Sequence, residues 1–139
     1  MAQAVVRWAE EESWREECLI YVPPGWPDQV RPPGAPDWEA TAGAFLLDCC
    51  PPDYRSHLVL RRHPVVLARF AAEHVEGQLR ASKEGLATVR AQLADQVPSA
   101  VVQEAVDAWQ EETARLIRVR RAVALVEEAL RGKVFIRKL

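Results

Sequence analysis

The apolar positions along this chain change their spacing near residue 60. Before that point they come in short bursts broken by proline, such as "CLIYV" from Cys18 to Val22 and "AFLLDCC" from Ala44 to Cys50. After it they recur every three or four residues over most of the remaining length. Leu67 or Ala68, Ala71, Val75, Leu79, Ser82, Leu86, Val89 and Leu93 mark one stripe. Val102, Ala105 or Val106, Trp109, Thr113, Leu116, Val119 or Arg120, Val123, Val126 and Leu130 mark a second. Alternating steps of three and four place side chains on one face of an α-helix.

The first stripe predicts a helix from Pro64 to about Gln96, on the order of 45 Å long at 1.5 Å per residue. Pro64 suits the first helical position, where its missing amide hydrogen costs nothing. At the second start, Ser99 follows Pro98 and is placed to bond a free amide. A helix of that length needs a long partner, and the connection between the two is short, so the pattern predicts an antiparallel αα-hairpin with a coiled-coil-like seam. Ala68, Ala71, Ala72, Ala81 and Ala87 are expected to let the helices approach closely. Gly132 is placed to end the second helix. Beyond it Val134, Phe135 and Ile136 have β character, and a small two-stranded ribbon with "CLIYV", or an edge shared between two copies, would tie them down.

The first 60 residues read differently. Residues 4 to 17 carry a short helical pattern weakened by a run of glutamates. Residues 23 to 36, "PPGWPDQVRPPGAP", are too rich in proline for a helix or a central strand and predict an irregular strap. Trp26 and Trp38 then either lie over the apolar side of the hairpin or offer the strap to an aromatic-lined groove of a partner. Asp37 is positioned to cap a short helix with Trp38, Ala42, Phe45, Leu46 and Cys49 on its apolar face, stopped by Pro51 and Pro52. The expected fold is therefore mainly α: a long antiparallel helical hairpin braced by a proline- and tryptophan-rich N-terminal region, in one domain over residues 1–139. Residues 1–60 form the strap and short helices, and 61–139 the hairpin and tail.

Composition and charge narrow the function classes. With 49% apolar and 27% charged residues the chain is an ordinary globular one. Its net charge is −2 and its pI about 5.9, which gives the whole molecule no electrostatic bias toward nucleic acid. The distribution is uneven: residues 1 to 60 carry four basic and ten acidic side chains, and residues 113 to 139 eight basic and two acidic. Such a layout suits an N-terminal region folding back on the C-terminal helix, or two copies pairing head to tail. Arg115, Arg118 and Arg121 or Arg120 fall on one flank of the second helix, and Arg115 follows Glu111 at the spacing of an intrahelical ion pair. Arg118 and Arg121 remain the candidates for a basic interaction surface.

Chemistry is sparse. Cys18, Cys49 and Cys50 are an odd set, which with the acidic start and the lack of a long apolar run points to a reduced, cytoplasmic protein rather than an exported or membrane one. Vicinal thiols do not share one tetrahedral metal and no further ligands stand at a zinc spacing, so neither metal nor cofactor is expected. Glu73 and His74 are adjacent and face about 100° apart, unlike the Glu–x–x–His pairs of dimetal bundles. No nucleotide loop or nucleophile elbow is present, and no catalytic residues are assigned. The most varied stretch is "CCPPDYRSHLVLRRH", where Tyr54, Arg55, His57, Arg61, Arg62 and His63 are candidates for holding an anion or small ligand. Its structural alternative is a connection in which Tyr54 packs and Asp53 caps a turn. The sequence thus points first to a non-enzymatic helical interaction or scaffold protein that pairs with itself or another helical protein, with Trp26, Trp109, Arg115, Arg118 and Arg121 at its surface. A small anion-binding protein or enzyme using residues 53–63, and weak nucleic-acid binding by the arginine flank, are the alternatives.

Overall fold

The computed structural model describes residues 21 to 138. Among them are four α-helices: α1 (Trp38–Asp48), α2 (Leu58–Arg62), α3 (Pro64–Leu93) and α4 (Ser99–Leu130), with a 3-10 turn at Pro52–Ser56 between α1 and α2. The short helical pattern at residues 4 to 17 lies outside the described residues.

The hairpin is α3 and α4. Both of its helices begin at a proline. Pro64 is the first residue of α3. Pro98 precedes α4, and its carbonyl accepts the N–H groups of Val101 and Val102 at 2.9 and 3.1 Å. Ser99 does not cap with its side chain, contrary to its expected role, because Pro98 occupies the cap position and Ser99 is already the first helical residue. The first helix ends at Leu93 rather than Gln96: Gln96 and Val97 both donate to the Leu93 carbonyl, tightening the chain into the turn. At the other end Gly132 adopts φ +98, its N–H bonds Ala129 and the next N–H, from Lys133, reaches back to Glu128. That is the expected glycine stop, which an L side chain would strain.

The two stripes read from the sequence meet. Leu67, Ala68, Ala71, Val75, Leu79, Ser82 and Val89 of α3 are buried, as are Val102, Val106, Thr113, Leu116, Val123 and Val126 of α4. Cross-helix partners set the register: Arg69 with Glu127 at 2.6 Å, Glu76 with Arg120 at 3.5 Å, and Arg90 with Gln103 at 2.8 Å. Ala81 and Ala87, expected at the close approach, are exposed; Ala68 and Ala71 alone of the five alanines are fully buried.

One end of the hairpin carries a third layer. Ala42, Phe45 and Leu46 of α1 share a core with Leu60 of α2, with Leu67, Ala68, Ala71 and Val75 of α3, and with Ala122, Val123 and Val126 of α4. Trp26 of the strap and Trp38 at the start of α1 pack against this cluster. Trp26 is pinned by its Nε1–H, which donates to the Val30 carbonyl at 2.8 Å. Arg121 holds the strap from below: its Nε–H donates to the Pro24 carbonyl at 3.1 Å, under Gly25 at φ +98.

Two details of this layer differ from expectation. Asp37 sits in the left-handed region at φ 61 and makes no side-chain cap; its backbone carbonyl instead accepts the Thr41 N–H at 3.0 Å. The Thr41 hydroxyl donates to the Trp38 carbonyl at 2.8 Å and accepts the Arg31 N–H at 3.1 Å, tying the helix to the strap. No strand forms among the described residues, and Cys18 to Ile20 of the proposed ribbon lie outside them. The tail still reaches the strap, through rings: Phe135 meets Trp26 edge-on at 5.9 Å and the Arg137 guanidinium lies 5.3 Å from the Tyr21 ring.

Candidate functional site

The other end of the hairpin is built differently. Past Leu79 it consists of two helices with a small core of Val89, Val102 and Val106, closed by Leu86, Leu93, Val97 and Trp109. A polar layer separates it from the three-layered end. Ser82 and Thr113 are the buried polar residues of the described chain, and their hydroxyl oxygens lie 2.7 Å apart. Thr113 spends its one proton on the Trp109 carbonyl at 2.9 Å, so Ser82 is the donor between them. The Trp109 Nε1–H closes the set by donating to the Ser82 carbonyl at 2.7 Å. Each donor has an acceptor, which is the condition under which a buried polar layer fixes a helix register rather than weakening it.

This arrangement lays the Trp109 indole across the hairpin, against the backbone of α3 at Gly85. The ring becomes the floor of an open trough of about 630 Å³, lined also by Gln78, Ala81, Ser82, Ala105, Ala108, Glu112 and Leu116. Its one carboxylate, Glu112, is occupied by a two-pronged bond from Arg115, at 2.9 Å from Nε and 2.5 Å from a terminal nitrogen. That hydrogen bond holds the Glu112 carboxyl below its usual range. The opposite face of the hairpin is crossed by the Arg69–Glu127 and Glu76–Arg120 ion pairs and by the Arg90–Gln103–Asp107 hydrogen-bond chain. One face is thus polar and internally paired, and the other is uncharged over its floor.

A second concavity, about 540 Å³, lies between the end of α1 and the hairpin, lined by Phe45, Cys49, His74, Gln78, Arg115 and Leu116 among others. Its thiol is unsuited to nucleophilic chemistry. Burial, reinforced by Cys50 and Asp48 and only partly opposed by Arg115, pushes Cys49 up to about 11 from 9.0. Cys50 is raised as well, chiefly by burial. A thiolate fraction depressed about a hundredfold near pH 8 follows from the Cys49 shift. Iodoacetamide is therefore expected to label the peptide holding Cys49 and Cys50 far more slowly in the folded protein than in urea, read by mass spectrometry. Equal rates would show that the thiols are not buried as described. Because the folded value lies above the unfolded one, the neutral thiol favours the fold below about pH 9, and that contribution is lost as pH rises through about 11.

The candidates named from sequence disperse. Tyr54 is half-buried and set edge-on between Phe70 at 5.9 Å and His74 at 6.0 Å. Arg55 pairs with Asp48 at 2.8 Å. His57, Arg61, Arg62 and His63 are exposed along the turn, α2 and its junction with α3. Of the surface set, Trp26 is a core lid, Arg121 is the strap clamp, and Arg115 pairs with Glu112 in place of Glu111. Arg118 is exposed with no ion pair among the described residues, and Trp109 floors the trough. The trough itself was missed because Ala81 was assigned to the seam and Ala108 to neither stripe. A glycine in the middle of a helix opposite a tryptophan, Gly85 opposite Trp109, was the available signal.

The described residues hold no cluster of three or more His, Cys, Asp or Glu able to bind a metal ion, and no helix among them is long and apolar enough to cross a membrane. Comparison with protein-family models, with curated proteins and with solved structures returned no match, so the functional reading rests on this geometry.

Proposed function

We propose that this protein is a non-catalytic helical interaction module that self-associates through the trough floored by Trp109, in keeping with a reduced cytoplasmic setting for its free thiols. The observation that carries the reading is the contrast between the hairpin's two faces: one laced with ion pairs, the other uncharged over Ala81, Ala105, Ala108 and the indole. A two-layered arm leaves that apolar side wet, and a second hairpin supplies the missing layer in the manner of a four-helix bundle. A second copy is the favoured occupant because an isologous contact sets the same uncharged patch against itself and buries no unpaired charge. The arginine flank supports the nucleic-acid alternative poorly, since Arg115, Arg120 and Arg121 are each engaged within the chain. Dispersal of residues 54–63 likewise leaves the anion-binding or enzyme alternative without a pocket of its own.

Sedimentation velocity over a dilution series tests this. The unaltered chain is expected to pass from dimer to monomer on dilution, and Ala108→Glu to stay monomeric at concentrations where the parent is dimeric, with its helical circular dichroism unchanged. Glutamate is a good helix former, so the loss would report the trough and not the helix. A parent chain that is strictly monomeric at the highest concentration sinks the proposal.

A further inference from the structure

A different surface, at the three-layered end, has a chemistry that neither the hairpin seam nor the trough uses. Helix α2 turns only Leu60 into the core, at 1% exposure, and leaves Leu58 and Val59 at 45% and 50%. Leu58 and Arg62, four residues apart, share the side opposite Leu60, with Val59 and Arg61 on its flanks. Pro64 forces His63 into an extended conformation, φ −126 and ψ 91, so this single turn cannot merge with α3 and stands out as a separate knuckle. Val65, at the start of α3, adds a further exposed aliphatic side chain.

The sequence running through the knuckle carries charge of one sign. From Tyr54 to Ala72 there is no acidic residue, the nearest in sequence being Asp53 and Glu73. Arg55 and Arg69 are paired with Asp48 and Glu127, whereas Arg61 and Arg62 make no ion pair among the described residues. Exposed aliphatic side chains interleaved with unpaired arginines match the boundary of an anionic lipid bilayer, where the aliphatics enter the acyl edge and the guanidinium groups meet phosphates. Nucleic acid would use the arginines but gives Leu58 and Val59 nothing to bury against. We infer that the α2 knuckle is a peripheral docking surface for membranes rich in anionic phospholipid. The expectation of no membrane partner rested on the lack of a spanning segment, which says nothing about a surface contact of this kind.

Co-sedimentation of the full chain with phosphatidylcholine vesicles, with and without phosphatidylserine, tests the inference. Binding is expected only to the serine-containing vesicles. Removing both arginines by Arg61→Gln/Arg62→Gln should weaken it about thirtyfold, from the usual contribution of a basic residue at such a surface. Leu58→Ser/Val59→Ser should abolish it while leaving both arginines in place; these side chains are exposed, and unchanged circular dichroism confirms that the variant folds. Absence of binding to anionic vesicles overturns the inference. So does full binding by the serine variant, or a preference for single- or double-stranded RNA or DNA over vesicles at the same salt, because each reports a plain anion site. Ala108→Glu should bind vesicles as a monomer, so failure here and failure of self-association are read separately.

Discussion

Truncation of Leu46 to alanine is expected to lower the stability of the protein by about 2–5 kcal/mol, the range for a leucine removed from a closed core. Leu46 is fully buried, and it is the point at which α1 enters the cluster formed by both hairpin helices. With eleven residues, α1 is too short to persist alone in water, so its helicity depends on that packing. The same side chain also supports the strap, because Trp26 rests on this cluster. Loss of Leu46 should therefore shift the urea midpoint down by about 1 M or more and change tryptophan fluorescence within the same transition. A cost below 1 kcal/mol would mean that α1 is not a packed layer. A fluorescence change well before the loss of hairpin helicity would mean that the capped end unfolds as a unit of its own.

The residues of this end show what the sequence could convey. The seam positions of α3 and α4 were legible because one helix face recurs every three or four residues regardless of what covers it. Burial of Ala122, Leu125 and Ala129 was not, since those residues form a second buried row on α4 that an idealised two-helix seam does not contain. The strap was recognisable from proline density, but its anchors were hidden in polar residues of ordinary appearance. Arg121 looked like part of a basic flank and proved to be a backbone clamp, and Thr41, an ordinary polar position on α1, ties that helix to the strap by accepting the Arg31 N–H. In both cases the deciding partner is a backbone group brought near by tertiary structure, which residue spacing does not report. The separate α2 knuckle escaped for a related reason: the His63–Pro64 junction was read as a helix start, although it also stops what comes before it.

The same substitution at two glycines of α3 is expected to act with opposite sign. Gly77 and Gly85 are eight residues apart on one helix. A methyl group at Gly77 would meet nothing within 4 Å, so Gly77→Ala should stabilise by about 0.5–1 kcal/mol, the usual gain from restricting a helical glycine. At Gly85 the added carbon would fall within the Trp109 indole, against Cζ2, Cε2 and Cη2. That ring cannot simply move aside, because its Nε1–H is bonded to the Ser82 carbonyl at 2.7 Å. Swinging it out costs about 1–3 kcal/mol in overpacking and about 1 kcal/mol for the hydrogen bond, against a helix gain of at most about 1 kcal/mol. Gly85→Ala should therefore destabilise by about 1–3 kcal/mol. A Trp109→Ala background isolates the cause: with the indole gone, Gly85→Ala should become stabilising like Gly77→Ala, and the two changes should be strongly non-additive in a thermodynamic cycle by chemical denaturation. If Gly85→Ala stabilises the parent chain, the indole does not lie against α3, and the trough it floors is not there to receive a partner.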